Sequence, residues 1–271
     1  MMHLPGGLLL DDRLERGFAL TAPSGSLDMR LHRLAETSAS RGQWLTDLLC
    51  ELLQHLGGEP ATRARVERLC LADRQAIVLA WRARREPDPQ WWHLRCHACE
   101  HPFDVPLSLQ ALPCSAAGPN FPFARAETSA GPLTLRIPDG RDLCWLAQQQ
   151  DKPETRKALV MRLLIEPSDA ALSDADIAAV EAAIEAEVPE LAETLDADCP
   201  ECGTTNRLAF DPCQGLVPAL DPLLDDIHRL AAAYHWSEAE ILALPEPRRR
   251  QYLQRIDGDR GMQTRYAGGP G

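Results

Sequence analysis

No apolar run in the chain approaches the roughly 18 residues that a membrane-crossing helix needs, so no membrane partner is expected. The first ten residues carry no basic segment, and Asp11 and Asp12 follow at once, which argues against a secretory leader. Positive charge is in short supply. The 28 Lys and Arg residues stand against 40 Asp and Glu, a formal net charge of -12. Such a chain repels phosphate backbones, and nucleic acid is not expected as a partner. The phosphate loop, the dinucleotide fingerprint, the Gly-x-Ser-x-Gly elbow and the His-Glu-x-x-His motif are all missing. Neither Cys-x-x-Cys pair follows a proline, so the nucleobase-deaminase signature is not met. The carboxylates form no recognisable acid–base pair. An enzyme with a small-molecule substrate therefore has no support, and a binding or assembly protein is the expected class.

The 271 residues are 45% hydrophobic, enough to bury a core as one large domain or two small ones. Nine cysteines is an odd number, and four of them form two Cys-x-x-Cys pairs. Without a leader, that pattern favours reduced thiols and a metal over a disulfide framework, and places the chain in the cytoplasm.

The expected fold class is α+β, built as two similar halves with a C-terminal helical segment. Phe18 to Leu31 reads as strand, turn, strand around Pro23-Ser24-Gly25, and Leu133 to Leu146 repeats the plan around Pro138-Asp139-Gly140. Helical spacing follows over 43–56 and 61–85, where Val66, Leu69, Cys70, Ile77, Ala80 and Trp81 share one stripe, and again over 154–165 and 173–195. Ser173 is a good N-cap with Asp176 three residues on. Each helical region runs into a Cys-x-x-Cys knuckle. The first region is rich in arginine and the second in acidic residues, including Asp169 and Glu193, so opposite charges could help the halves dock. The expected layout is a first half over 1–110, a Pro/Gly-rich linker over 111–131, a second half over 132–214, a helical segment over 215–257 and a disordered tail over 258–271.

Two Cys-x-x-Cys turns present four thiolates, the set that suits a tetrahedral zinc ion. Cys96, Cys99, Cys199 and Cys202 are the expected ligands of one structural zinc in a zinc-ribbon-like site. A closed site of this kind has no open coordination position. His93, His97 or His101 could replace a cysteine, and Cys114 and Cys213, each following a knuckle, leave two separate sites open. Cys50, Cys70 and Cys144 read as small buried apolar residues.

The stretch from Asp221 to Ile256 is the most distinctive. Leu223, Ile227, Leu230, Ala231 and Tyr234 form a helical stripe, and Ser237 with Glu240 forms a capping box flanked by Trp236 and Ile241. Pro247 opens a third helix. The order of Asp226, Ile227, His228, Leu230, Ala231, Tyr234, Trp236, Ser237, Glu240, Ile241, Leu244, Pro245, Arg249, Arg250, Tyr252 and Leu253 resembles the end of the T-even-type baseplate hub assembly chaperones. The resemblance implies a non-enzymatic protein of a contractile phage tail or contractile injection system. It would bind other baseplate or tail proteins in the bacterial cytoplasm, as an assembly chaperone or as a structural baseplate component. Tyr234, Trp236, Arg248, Arg249, Arg250 and Tyr252 are the expected partner-binding residues, since aromatic and arginine side chains dominate binding hot spots. The alternative, from another class, is a zinc-ribbon regulator that binds nucleic acid.

Overall fold

The computed structural model describes residues 2–86, 88–149, 153–166, 172–192, 194–217 and 219–267. The fold is α+β. Strand β1 (Met2–Leu10) turns through Asp11 and Asp12, with φ of 46° and 62°, into β2 (Arg13–Leu20). Two successive left-handed residues make a tight hairpin turn whose twist suits the strands it joins. Helix α1 (Gly25–Thr37) follows. Helix α2 (Arg41–Leu52) runs straight into β3 (Leu53–Leu56), which pairs antiparallel with β2. A short β4 (Glu59–Pro60) completes a sheet of order β1-β2-β3-β4. Helices α3 (Arg63–Glu67) and α4 (Leu71–Arg82) lead to a two-stranded ribbon of β5 (Gln90–Arg95) and β6 (Pro102–Leu107).

The plan then recurs. Strands β7 (Phe123–Thr128) and β8 (Gly131–Arg136) form a hairpin, and α5 (Gly140–Leu146) follows. Helix α6 (Pro153–Leu163) runs straight into β9 (Leu164–Glu166), which pairs with β8. Helix α7 (Asp174–Glu187) leads to a ribbon of β10 (Thr194–Asp198) and β11 (Thr205–Ala209). The sequence Leu69-Cys70-Leu71-Ala72-Asp73 opens α4 as Leu172-Ser173-Asp174-Ala175-Asp176 opens α7, with both leucines buried. Three further helices end the chain: α8 (Leu220–Tyr234), α9 (Glu238–Ala243) and α10 (Glu246–Ala267).

The two hairpins lie upstream of where the sequence suggested. Pro23-Ser24-Gly25 and Pro138-Asp139-Gly140 are helix starts, not strand turns. Ser24 accepts from the Leu27 N–H at 3.2 Å, and Asp139 accepts from the Arg141 N–H while Asp142 reaches back in a capping box. Serine and aspartate satisfy the unpaired N–H groups at a helix start as readily as they stabilise a turn, and the two signatures overlap. Other boundaries move as well. The helical stretch over 43–56 ends at Leu52, the one over 61–85 is broken between α3 and α4, and the one over 173–195 ends at Glu187. The segment 111–131 contains β7, and α10 continues to Ala267, through the stretch whose composition suggested disorder. Asp169, Glu193 and the final residues 268–271 lie outside the described residues.

The chain divides into two compact units. One comprises Met1–Leu20 and Ala39–Leu216. In it α4 packs on β1 and α7 on β7. One core cluster joins Leu133, Leu135, Val160, Leu163, Ile177 and Val180, and each such side chain contributes about 2 kcal/mol by leaving water. The other unit comprises Thr21–Ser38 and Val217–Gly271, so α1 belongs with the C-terminal helices. Leu27 and Leu31 of α1 are fully buried. A Cβ at Gly25 would lie 2.7 Å from Leu242 of α9 and 3.3 Å from Leu223 of α8, so glycine permits that close approach. Among the described residues no helix is long and apolar enough to cross a membrane.

Candidate metal centre

Each ribbon ends in a knuckle closed by the same pair of backbone hydrogen bonds. The Cys96 N–H donates to His101 O at 3.0 Å, and the Glu100 N–H donates to Cys96 O at 2.9 Å. In the second ribbon the Cys199 N–H donates to Thr204 O at 3.0 Å, and the Gly203 N–H donates to Cys199 O at 2.9 Å. Glu100 and Gly203 take the same place and both have positive φ, 59° and 71°. Glycine adopts that conformation freely, whereas Glu100 costs about 1 kcal/mol.

The knuckles bring four sulfurs together. Cys96 Sγ lies 3.6 Å from Cys202 Sγ, Cys99 Sγ lies 3.7 Å from Cys199 Sγ, and all four lie within 4.8 Å of one another. These separations are far too long for a disulfide, whose sulfurs sit about 2.05 Å apart. They match the roughly 3.8 Å edge of a tetrahedron with metal–sulfur distances of about 2.3 Å. Cys96 and Cys199 are buried and Cys99 and Cys202 are exposed, so each knuckle turns one thiol inward and one outward. This set of four close cysteines can bind a metal ion.

The surrounding donors favour thiolate. The Cys99 and Ala98 N–H groups and the neighbouring thiols bring the Cys96 pKa down to about 6. Thr204, whose hydroxyl lies 3.3 Å from Cys202 Sγ, lowers the Cys202 pKa. The His101 N–H also favours the Cys99 thiolate, but crowding by Cys202 and the other sulfurs pushes its pKa up to about 12. Four thiols this close cannot all ionise without a cation among them, and a bound cation removes that conflict.

Asn206 ties the two knuckles together. It is buried on β11, its Oδ1 accepts from the His97 N–H at 3.0 Å, and its Nδ2 donates to Thr204 O at 2.9 Å. No motif marks this residue; the matching position in the first ribbon is Phe103, and only the packing of the ribbons gives Asn206 its role. His97 Nδ1 is engaged with Asn206 Oδ1 at 2.9 Å, and His93 Nδ1 faces Asp104 at 2.5 Å. Among the described residues no histidine joins the four sulfurs, nor do Cys114 or Cys213.

The six expected partner-binding residues lie in the second compact unit, and the structure separates them. Tyr234 and Trp236 stack with centroids 4.9 Å apart, and Tyr252 meets Trp236 edge-on at 4.9 Å and Tyr234 at 5.5 Å. All three rings are half-buried at the edge of a core of Leu230, Ile241, Leu253 and Ile256. Arg248 is exposed, and Arg250 is exposed and paired with Glu246. Arg249 differs. It is 3% exposed and donates to Leu244 O at the end of α9 at 2.9 Å, so it acts as an internal strut.

No family model matches the chain, and no curated protein and no solved structure matches it.

Proposed function

We propose that the chain is a non-enzymatic assembly protein of a contractile tail or contractile injection system, acting as a chaperone or structural component of the baseplate in the bacterial cytoplasm. One structural zinc ion, held by Cys96, Cys99, Cys199 and Cys202, clamps the two ribbons. A site closed by four thiolates leaves no position for a substrate or an activated water. The observation that supports the baseplate reading is the aromatic cluster. The residues that carry the family resemblance, Tyr234, Trp236 and Tyr252, meet on one helical unit as a half-buried patch, with the charged Arg248 and Arg250 on the same α10 as Tyr252. Half-buried aromatic rings beside arginine are the composition of a protein-binding hot spot.

The test is co-expression of the tagged chain with the sheath, tube, spike and wedge proteins of a contractile system encoded beside it. Capture of a defined tail protein, lost on replacing Trp236 with Ala, is the expected result. Failure to capture any of them removes the proposal. Tight, sequence-selective binding in a gel shift at moderate salt would instead favour the zinc-ribbon regulator.

A further inference from the structure

The acidic chain concentrates positive charge at one place in its first compact unit. Two buried carboxylates, Asp139 and Asp142, meet the guanidinium groups of Arg136, Arg141 and Arg162. Arg136 binds Asp142 through two hydrogen bonds of 2.5 and 2.7 Å, Arg162 Nε donates to Asp142 at 2.8 Å, and Arg141 Nη2 donates to Asp139 at 2.6 Å. Arg74 lies against the same turn, its Nη1 only 2.3 Å from where a Cβ on Gly140 would stand. Arg74 is fully buried and, among the described residues, binds only neutral groups, Val66 O at 3.1 Å and Thr46 Oγ1 at 2.7 Å, while its Nε has no partner there. Arg68 adds a further cation, bonded to Leu9 O at 2.6 Å and paired with no carboxylate among the described residues. Five arginines thus lie near Asp139 and Asp142, and a third buried carboxylate, Asp73, accepts from the Gly7 N–H behind them. The nearby Glu67 is itself paired with Arg63. Arg74 alone is fully buried, Arg136 is half-buried, and Arg68, Arg141 and Arg162 reach solvent, so the surplus of cations is open to an anion from solution.

A cavity of about 150 Å³ opens at this imbalance, lined by Arg68, Arg136, Arg141, Asp139 and Gly7. Among the described hydrogen bonds, some donors of these arginines are unspent. Arg141 commits Nε and Nη2 to Asp139 and keeps Nη1, and Arg68 commits only Nη2. The planar guanidinium fork matches an oxyanion better than any other side chain. We infer that this cavity is a binding site for a small dianionic oxyanion, a phosphate or sulfate group, held by Arg68, Arg136 and Arg141. The site is separate from the cysteine cluster and does not depend on the proposed assembly role.

The experiment is isothermal titration of the full-length, metal-loaded protein with inorganic phosphate, sulfate and acetate at low ionic strength. Phosphate and sulfate should bind saturably at one site per chain, and acetate at least about tenfold more weakly, because it offers one charge and two oxygens. Arg68→Ala removes a single hydrogen bond to Leu9 O, so it should fold normally and weaken phosphate about tenfold or more. Arg141→Ala should act likewise. Arg125→Ala, on the exposed side of β7, should leave the affinity unchanged. The inference is overturned if phosphate does not saturate, if Arg68→Ala binds as the parent does, if Arg125→Ala weakens binding equally, or if acetate binds as tightly as phosphate.

Discussion

Asp73 and Asp176 hold the same place in the two halves, the third residue of α4 and of α7, and each turns its carboxylate onto the hairpin of its own half. Asp73 accepts from the Gly6 and Gly7 N–H groups of β1 at 2.7 and 2.9 Å. Asp176 accepts from Ser129, at the tip of the β7–β8 hairpin, through N–H at 2.7 Å and hydroxyl at 2.8 Å, and also closes the capping box with Ser173. Burial pushes the Asp73 pKa up despite its two donors. The bonds from Ser173 and Ser129 hold the Asp176 pKa well below the usual carboxylate range.

These shifts give opposite pH dependences. The depressed Asp176 stabilises the fold above its unfolded pKa of about 4, and that stability is lost as pH falls through its folded value. The raised Asp73 works the other way, since its ionisation in the interior subtracts stability as pH rises through its folded pKa. Urea unfolding should show a gap between the parent and Asp176→Asn that is large at pH 7 and shrinks below about pH 4. A gap independent of pH would mean that Asp176 acts only through shape.

Replacing Asp73 with Ala should cost about 2–4 kcal/mol, because two buried N–H groups lose their acceptor. Asp73→Asn keeps one acceptor oxygen and removes the buried charge, so it should cost less. Denaturant midpoints of the two variants decide the order, and equal losses would show that hydrogen bonding is not the cause.

Metal analysis of protein purified without added metal should find close to one zinc per chain. Cys99→Ser and Cys202→Ser should each release it and lower the melting temperature by about 5–10 °C, with the two ribbons loosened and the helical unit intact. The same analysis distinguishes zinc from iron, which four thiolates also accept. Full metal content in both variants would remove the assignment.

Gly140→Ala should destabilise by about 1–3 kcal/mol, because its Cβ would fall on the Arg74 guanidinium and within 3.0 Å of Glu67 O. Gly58→Ala places its Cβ in open space but at φ of +80°, so its cost comes from backbone strain alone. Thermal melts compare the two, and an unperturbed Gly140→Ala would show that Arg74 can move aside.

The C-terminal unit needs point variants to test its role. Deleting the chain after Asp221 would strip α1 of α8 and α9 and expose Leu27 and Leu31. Tyr252→Ala should reduce tail-protein capture with a modest loss of stability, since its ring is only half-buried. Arg249→Ala should lower stability by about 1–3 kcal/mol, because the buried strut to Leu244 O is lost. If Arg249→Ala abolished capture at unchanged stability, the strut reading would fail.

The four cysteines of the cluster that can bind a metal ion, the α+β class and the capping boxes at Ser173 and Ser237 were legible in the sequence, because each rests on a pattern of residues a few positions apart. Two Cys-x-x-Cys pairs announce four thiolates at whatever distance the chain later closes. The doubled plan was legible only in part, because Ser24 and Asp139 read as turn residues although their side chains start helices. Tertiary structure alone decided the rest. Nothing local says that α1 leaves its neighbours in the chain to pack with α8 and α9, that Arg249 turns inward while Arg248 and Arg250 stay out, or that Asn206 stitches the knuckles. Those outcomes depend on which distant surfaces meet and which buried polar groups then need partners, and neither periodicity nor spacing encodes that.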